Sequence, residues 1–281
     1  MKPLDNWAIW SEKVKAHDVT DILSDSDQQE WNSLSPEERS EILEKLLHSP
    51  VDNFSVIYRW YFRLKWFEAL DAIGIAPPVK LLEIGAGDGD MIPNLLAKKF
   101  ENKDTCYLTA NMNKQLSANL KAKTAHLPIK TNIIEDEAQN IRKHIGVEAL
   151  DVIVFEHSVN DILQTVLAER MGIDTTNENW WDILPVMIDI IKKEYLNNTL
   201  EASVKDELLG LLRSCLDILK PGSYIVINHF MYQYDLSLGY EPDLWNNMLL
   251  IARKWISEVE GAEEIRFDGF DPQWWLFLKK S

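Results

Sequence analysis

The sequence predicts an α/β protein with one mostly parallel sheet of seven strands, ended by an antiparallel hairpin and preceded by a helical extension. Three observations predict it. From Val79 onward, short apolar runs alternate with helical segments, the pattern of parallel strands joined by crossovers. The last two apolar runs have no helical segment between them. Residues 1–76 carry helical patterns and no convincing strand. A chain of 281 residues can bury one substantial core plus a small helical appendage. The expected division is therefore a helical extension or lid over residues 1–76 and a ligand-binding domain over 77–281.

Within the extension, Ser35-Pro36-Glu37-Glu38 is a helix start. Ser35 is the N-cap, Pro36 stands in the first turn and Glu38 closes a capping box. This helix runs to about Leu47 and stops before Pro50. A second start at Asp52-Asn53 leads into Val56, Ile57, Trp60, Tyr61, Leu64, Phe67 and Leu70, an apolar stripe at helical spacing that Gly74 ends. Strands are expected near 79–84, 105–110, 131–135, 150–155, 223–229, 263–268 and 273–279. Gly269-Phe270-Asp271-Pro272 joins the last two as a hairpin. The stretch between the fourth and fifth strands exceeds what one crossover helix needs. Residues 160–205, which include Trp180-Trp181, are thus an insertion or lid candidate.

Composition narrows the partners. Hydrophobic residues make up 46% of the chain and charged residues 26%, as in an ordinary globular protein. No apolar run is long enough to span a bilayer, and the first residues lack the build of a secretion signal. Cys106 and Cys215 suggest neither a disulfide framework nor a metal site, so a cytoplasmic setting is expected. The formal charge of −16 argues against a general nucleic-acid binder, because neutralising phosphates needs clustered Lys and Arg. A small molecule or a basic protein fits better, and a homo-oligomer is compatible with the sequence.

The strongest local signal is Leu81-Leu82-Glu83-Ile84-Gly85-Ala86-Gly87-Asp88-Gly89-Asp90, a short apolar strand running into a glycine-rich turn and then a helix. Glycine permits a sharp turn and lets a ligand approach where a Cβ would collide. A dinucleotide fingerprint wants glycine at position 90, where Asp90 stands. Glu83, Asp88 and Asp90 also make the loop acidic, a poor place for pyrophosphate but a welcome one for an amine and a sulfonium. These residues resemble the first motif of the class I S-adenosylmethionine (SAM)-dependent methyltransferases, an acidic residue followed by Gly-x-Gly-x-Gly. The resemblance covers roughly residues 79–281 and implies a Rossmann-like fold, SAM as cofactor and a methyl-transfer activity.

Carried along the chain, the resemblance implies a set of SAM contacts. Glu83, Gly85, Ala86, Gly87, Asp88 and Gly89 come from the loop. Asn111 stands where the family usually has an acidic residue holding the ribose, and Met112 is similar to the apolar residue that packs on adenine. Asn113 reads equally well as the cap of the next helix. Asp136, Glu137 and Ala138 resemble the acidic–small pair at the adenine edge, with Glu137 ahead of Asp136; a solvated acidic turn is the alternative. Glu156 and His157 end the fourth strand, where the family places the methyl donor. Lys220-Pro221-Gly222 and Trp274-Trp275-Leu276-Phe277 match the family's later motif and sheet ending.

Methyl transfer chiefly needs alignment and exclusion of water, with a base when the acceptor holds a proton. His157 is the first base candidate, because it titrates near neutrality at a strand mouth. His229 and Asp161 follow. Each also has a structural reading, His157 as a supporting hydrogen-bonding residue and Asp161 as a helix cap. Tyr58, Trp60, Tyr61, Trp180 and Trp181 are candidates for an apolar acceptor site, although aromatics at helical spacing more often make core. No Asn-Pro-Pro-aromatic, Asp-Pro-Pro-aromatic or Pro-Cys run follows the fourth strand, which argues against methylation of nucleic-acid bases. No metal-ligand cluster is evident. The leading expectation is a small-molecule O- or N-methyltransferase. A protein side-chain methyltransferase, a SAM-binding subunit without catalysis and, last, a nicotinamide-dependent reductase are the alternatives.

Overall fold

The computed structural model describes residues 25–48, 55–100, 102–230 and 233–281. In the extension, α1 (Asp25–Ser33), α2 (Pro36–His48) and α3 (Ser55–Ala72) precede the sheet. The capping box at the start of α2 forms as expected. Glu38 N–H donates to Ser35 Oγ at 3.2 Å, and Ser35 N–H donates to Glu38 Oε2 at 2.7 Å. The expected start of α3 at residues 52–53 lies outside the described residues.

Then follow β1 (Lys80–Ile84), α4 (Met91–Lys99), β2 (Cys106–Ala110), α5 (Lys114–Thr124), β3 (Lys130–Ile134) and a 3₁₀ turn at Ala138–Lys143. Next come β4 (Leu150–Glu156), α6 (Val159–Arg170), α7 (Trp180–Leu196), α8 (Leu200–Ile218) and β5 (Leu219–Asn228). The chain ends with α9 (Gln233–Ser237), α10 (Pro242–Ile256), β6 (Ala262–Ile265) and β7 (Trp275–Lys280). The seven strands form one sheet in the order β3-β2-β1-β4-β5-β7-β6. The first five strands are parallel, while β7 runs antiparallel to both β5 and β6.

The pleat sorts each strand between two cores. On β4, Ile153 and Phe155 face the core beneath α6, α7, α8 and α10, whereas Val152 and Val154 face the core beneath α3 and α4. A sheet buried on both faces explains the near-continuous apolar runs. The described part of α3 buries Phe62, Leu64, Trp66, Ala69 and Leu70 in the second core. Burying such side chains contributes about 1.5–3 kcal/mol each. This part of the extension is therefore a wall of the domain core.

The boundaries shift in two places. β5 begins at Leu219, in the stretch expected to be a turn, and a register irregularity sits between Leu150 and Val152 of its partner. Gly222 takes a left-handed φ of 77° there, so a turn residue is absorbed as a bulge in the strand. The expected insertion is α6, α7 and the loop between them, while α8 returns the chain to β5. Among the described residues no helix is long and apolar enough to cross a membrane, and no group of metal-ligating side chains occurs.

Candidate functional site

The site forms where the carboxyl ends of β1, β2, β3 and β4 meet, beside the reversal of strand order between β1 and β4. The backbone ladder continues one residue past three of these strands. Gly85 N–H donates to Ala110 O at 3.0 Å, Asn111 N–H to Ile134 O at 3.0 Å, and His157 N–H to Asn228 O at 3.1 Å. These bonds hold the loop entrances in fixed register. Gly85 and Gly87 have φ values of 72° and 57°, the left-handed region that only glycine enters cheaply. A Cβ on Gly85 would lie 3.1 Å from Ser158 Cβ, and Ser158 Oγ donates to Ile84 O at 2.7 Å. Glycine thus lets the β4–α6 turn press directly against the end of β1.

Above this junction lies a cavity of about 290 Å³, at the small end of the range for ligand pockets. Gly85, Ala86, Gly87, Asp88 and Gly89 form its floor. Asn111 and Met112 enter from β2, Asp136, Glu137 and Ala138 from β3, and Glu156, His157 and Asp161 from β4 and α6. Trp180 and Trp181 stand on the far side. Asp88, Asp136, Glu137, Glu156, Asp161, Glu169 and Glu207 all line the cavity, and no described Lys or Arg does.

Three of these carboxylates are matched from outside the cavity. Asp88 pairs with Lys123 at 2.9 Å, Glu207 pairs with Arg170, and Asp136 meets His144 Nε2 at 2.7 Å. His144 and Asn140 hold the Asp136 carboxyl down at about 2. With both oxygens engaged, Asp136 is the weaker acceptor for a ligand and Glu137 the freer one. Glu156 and Asp161 behave oppositely. Enclosure by protein raises the Glu156 carboxyl to about 7. Burial, then the charges of Asp235 and Glu156, raise Asp161 to about 8 against the hydrogen bond from Asn160 Nδ2 at 2.6 Å.

The sheet decides the fold: five parallel strands, order reversed beside β1, and a β6–β7 hairpin whose β7 lies antiparallel between β5 and β6. This is a Rossmann-like α/β fold, with the sheet ending that the sequence resemblance implies. No family model matches the chain, and no curated protein sequence matches it. Among solved structures, a candidate rRNA methylase from Clostridium thermocellum is 11% identical, with 77% of this chain and 93% of that one covered and a TM-score of 0.47. A candidate SAM-dependent methyltransferase from Methanococcus maripaludis is 15% identical over 87% and 91% of the two chains, with a TM-score of 0.46. A SAM-dependent methyltransferase from Aquifex aeolicus is 11% identical over 76% and 87%, with a TM-score of 0.42. The fold assignment rests on the strand order and not on these distant likenesses.

Two expected site residues fall elsewhere in this fold. Glu83 does not line the cavity. The pleat turns it into the second core's side of the sheet, 2% exposed, where Tyr107 Oη donates to its carboxyl at 2.5 Å and burial pushes that carboxyl well up. His229 does not line it either. It is fully buried behind His157, the two rings stacked at 4.8 Å. Tyr58, Trp60 and Tyr61 lie on α3, and their side chains are outside those described.

His157 reaches the cavity in a constrained form. Its φ is 49°, its N–H also donates to Asn228 Oδ1 at 3.0 Å, and Phe230 N–H approaches its Nδ1 at 3.4 Å. An accepting Nδ1 puts the neutral ring's proton on Nε2, 3.8 Å from Asp235 Oδ2. Burial lowers the imidazole, with Asp235 pulling the other way. Both ring nitrogens thus face protein groups, and of the three expected base candidates His157 and Asp161 line the cavity.

Asn111 donates from Nδ2 to Gly87 O at 2.7 Å, leaving Oδ1 as its acceptor. Asn113 is a structural cap. Its Oδ1 accepts from Leu116 N–H at 3.1 Å while Nδ2 donates to Thr175 O and Glu178 O, both at 2.9 Å. Sequence reasoning missed Ile162, Thr165, Val166 and Glu169 on α6, and Glu207 and Leu211 on α8. For α6 a signal existed: Asp161, Thr165 and Glu169 recur every four residues, one helix face. Asp235, whose Oδ2 accepts from Trp245 Nε1 at 3.1 Å, carried no such signal.

Proposed function

We propose that this chain is a SAM-dependent methyltransferase acting on an O or N atom of a small-molecule acceptor. One observation carries the reading. The glycine turn after β1 shares a single cavity with the residues that end β2, β3 and β4, and its Asp and Glu side chains have no described Lys or Arg beside them in the lining. SAM carries a sulfonium and an ammonium against one carboxylate, so a wall with acidic side chains and no described Lys or Arg suits its net positive charge, and a pyrophosphate would be repelled. Bound SAM would supply an electrophilic methyl group. The Gly85–Gly89 turn and Asp88 would hold its amino-acid end, Asn111 Oδ1 one ribose hydroxyl, Met112 the adenine face, and Glu137 the adenine amine.

The chain's own residues do the rest. Glu156 lies at the end of β4, near the position expected for the sulfonium, and balances its charge. The α6–α7 segment with Trp180 covers the acceptor and limits water. Asp161 takes the acceptor's proton, and His157, held by Asn228 and Phe230, shapes the wall. The residues 160–205 act as the acceptor-side cover. The experiment is calorimetric titration with SAM, its demethylated product and NADH. Micromolar binding of SAM and product without NADH is expected; binding of NADH alone, or of none, overturns the reading.

A further inference from the structure

Once the donor has been given its contacts, part of the cavity's negative charge has no task. Asp88, Asp136 and Glu207 are matched by Lys123, His144 and Arg170. Asp161 and Glu169, on α6, line the cavity without an ion pair among the described residues, and Thr165 stands between them. Four-residue spacing stacks these three on one helix face, with about 12 Å from the first to the third at 1.5 Å rise per residue. Ile162 and Val166 line the same wing, and Trp180 faces them from α7. Glu156, at the inner end of the cavity, is already set against the sulfonium, so Asp161 and Glu169 are the carboxylates left for the acceptor.

We propose that the acceptor is a linear aliphatic amine, its reacting nitrogen against Asp161 and a second positive charge against Glu169 at the cavity mouth. The inference rests on the methyltransferase reading above and names the acceptor class of that same site. An ammonium presents only donors, which matches a wall of acceptors, and its alkyl chain matches Ile162 and Val166. Trp180 and Trp181 add aromatic faces that attract cations. Asp161 also completes the proton balance. An N–H bond of the ammonium breaks, its electron pair stays on nitrogen as the lone pair needed for attack, and the carboxylate forms the O–H bond. Ammonium with carboxylate and amine with carboxylic acid hold the same number of protons, so this transfer stays inside the cavity.

The test is binding, followed by tryptophan fluorescence and calorimetry on the full chain with SAM's demethylated product present. The probes are a terminal diaminooctane, octylamine, octanol and octanoate. The diamine is expected to bind at least tenfold more tightly than octanol or octanoate, and more tightly than octylamine. Asp161→Asn should weaken both amines about tenfold and leave octanol unchanged. Glu169 is exposed, so Glu169→Gln leaves the fold intact and should erase only the preference for diamine over monoamine. Octanol or octanoate binding as tightly as the amines, no binding by any probe, or an unchanged preference in Glu169→Gln overturns the proposal. If SAM's product binds and the amines show no preference, this inference alone fails. If neither SAM nor its product binds, the methyltransferase reading falls and takes this inference with it.

Discussion

At the scale of single residues, backbone conformation and the direction of the pleat decide what reaches the cavity. Gly85 and Gly87 both lie in the left-handed region, which costs an L side chain about 1–2 kcal/mol. They differ in their surroundings. A Cβ on Gly85 meets Ser158 Cβ at 3.1 Å, whereas one on Gly87 meets only Leu116 Cδ1 at 3.8 Å. Gly85→Ala should therefore cost about 2–3 kcal/mol of stability and Gly87→Ala about 1 kcal/mol. Denaturant unfolding of the two variants checks the order; equal losses would mean that the β4–α6 turn yields. Glu83 shows the opposite limit. Its place in the motif was legible, but an acidic residue two positions before Gly85 points wherever the pleat sends it, here to Tyr107.

At the scale of elements, much was legible because the signals are local. The capping box of α2, the alternation of strands and helices, the glycine turn and the terminal hairpin each depend on neighbouring residues. The α6–α7 side of the cavity was less legible: the four-residue spacing on α6 is local, but the docking of the loop that follows it is long-range and leaves no local trace. The 171–179 loop is held by Asn113, 62 and 65 residues from its two carbonyl partners Thr175 and Glu178. Lys114 adds a backbone bond to Thr176 O at 3.0 Å and a side-chain bond to Asn177 at 2.6 Å.

Two substitutions separate the roles of Asn113. Asn113→Ala loses the cap and both donors, costing about 2 kcal/mol, and hydrogen exchange should rise across 171–179. Asn113→Asp keeps the cap but sets a carboxylate against two carbonyls, so exchange should rise in the loop while α5 stays protected. An unaltered loop in both variants would refute this anchoring. The helical extension is judged the same way. Trp66 is fully buried between α3 and the sheet, its ring 5.0 Å from that of Trp275. A lid would tolerate its loss; a core wall would not. Trp66→Ala should cost about 3–5 kcal/mol in a single unfolding transition.

At the scale of the whole molecule, the acidic cavity ties stability to pH. Asp161 has an ordinary value of 3.8 and stands at about 8 in the folded chain; Glu156 has 4.5 and stands at about 7. The groups acting on them are Asp235, Asn160, Tyr240, Glu83 and Tyr107, none of which carries a positive charge. Below about pH 4 both carboxyls are protonated in the folded and unfolded chains, and neither affects stability. As pH rises past the ordinary values, the unfolded chain releases these protons while the folded chain keeps them. Their contribution to stability therefore falls between about pH 4 and pH 8, then levels off once the folded carboxyls ionise too, while the depressed His157 and His229 act in the opposite sense below their ordinary 6.5. Asp136 acts in the opposite sense but in a separate window, between about 2 and its ordinary 3.8. Asp161→Asn removes the larger of the two raised groups. At pH 8 it should be more stable than the wild type, by something on the order of 3 kcal/mol, and at pH 4 the two should melt together. A cationic ligand reverses the penalty, because it favours the ionised carboxylate. The rise in melting temperature on adding an amine should thus grow from pH 6 to pH 8 and be accompanied by proton release in calorimetry at pH 7. If Asp161→Asn stabilises equally at pH 4 and pH 8, the buried charge is not the cause. The cavity's acids would then be ordinary surface carboxylates that water reaches freely.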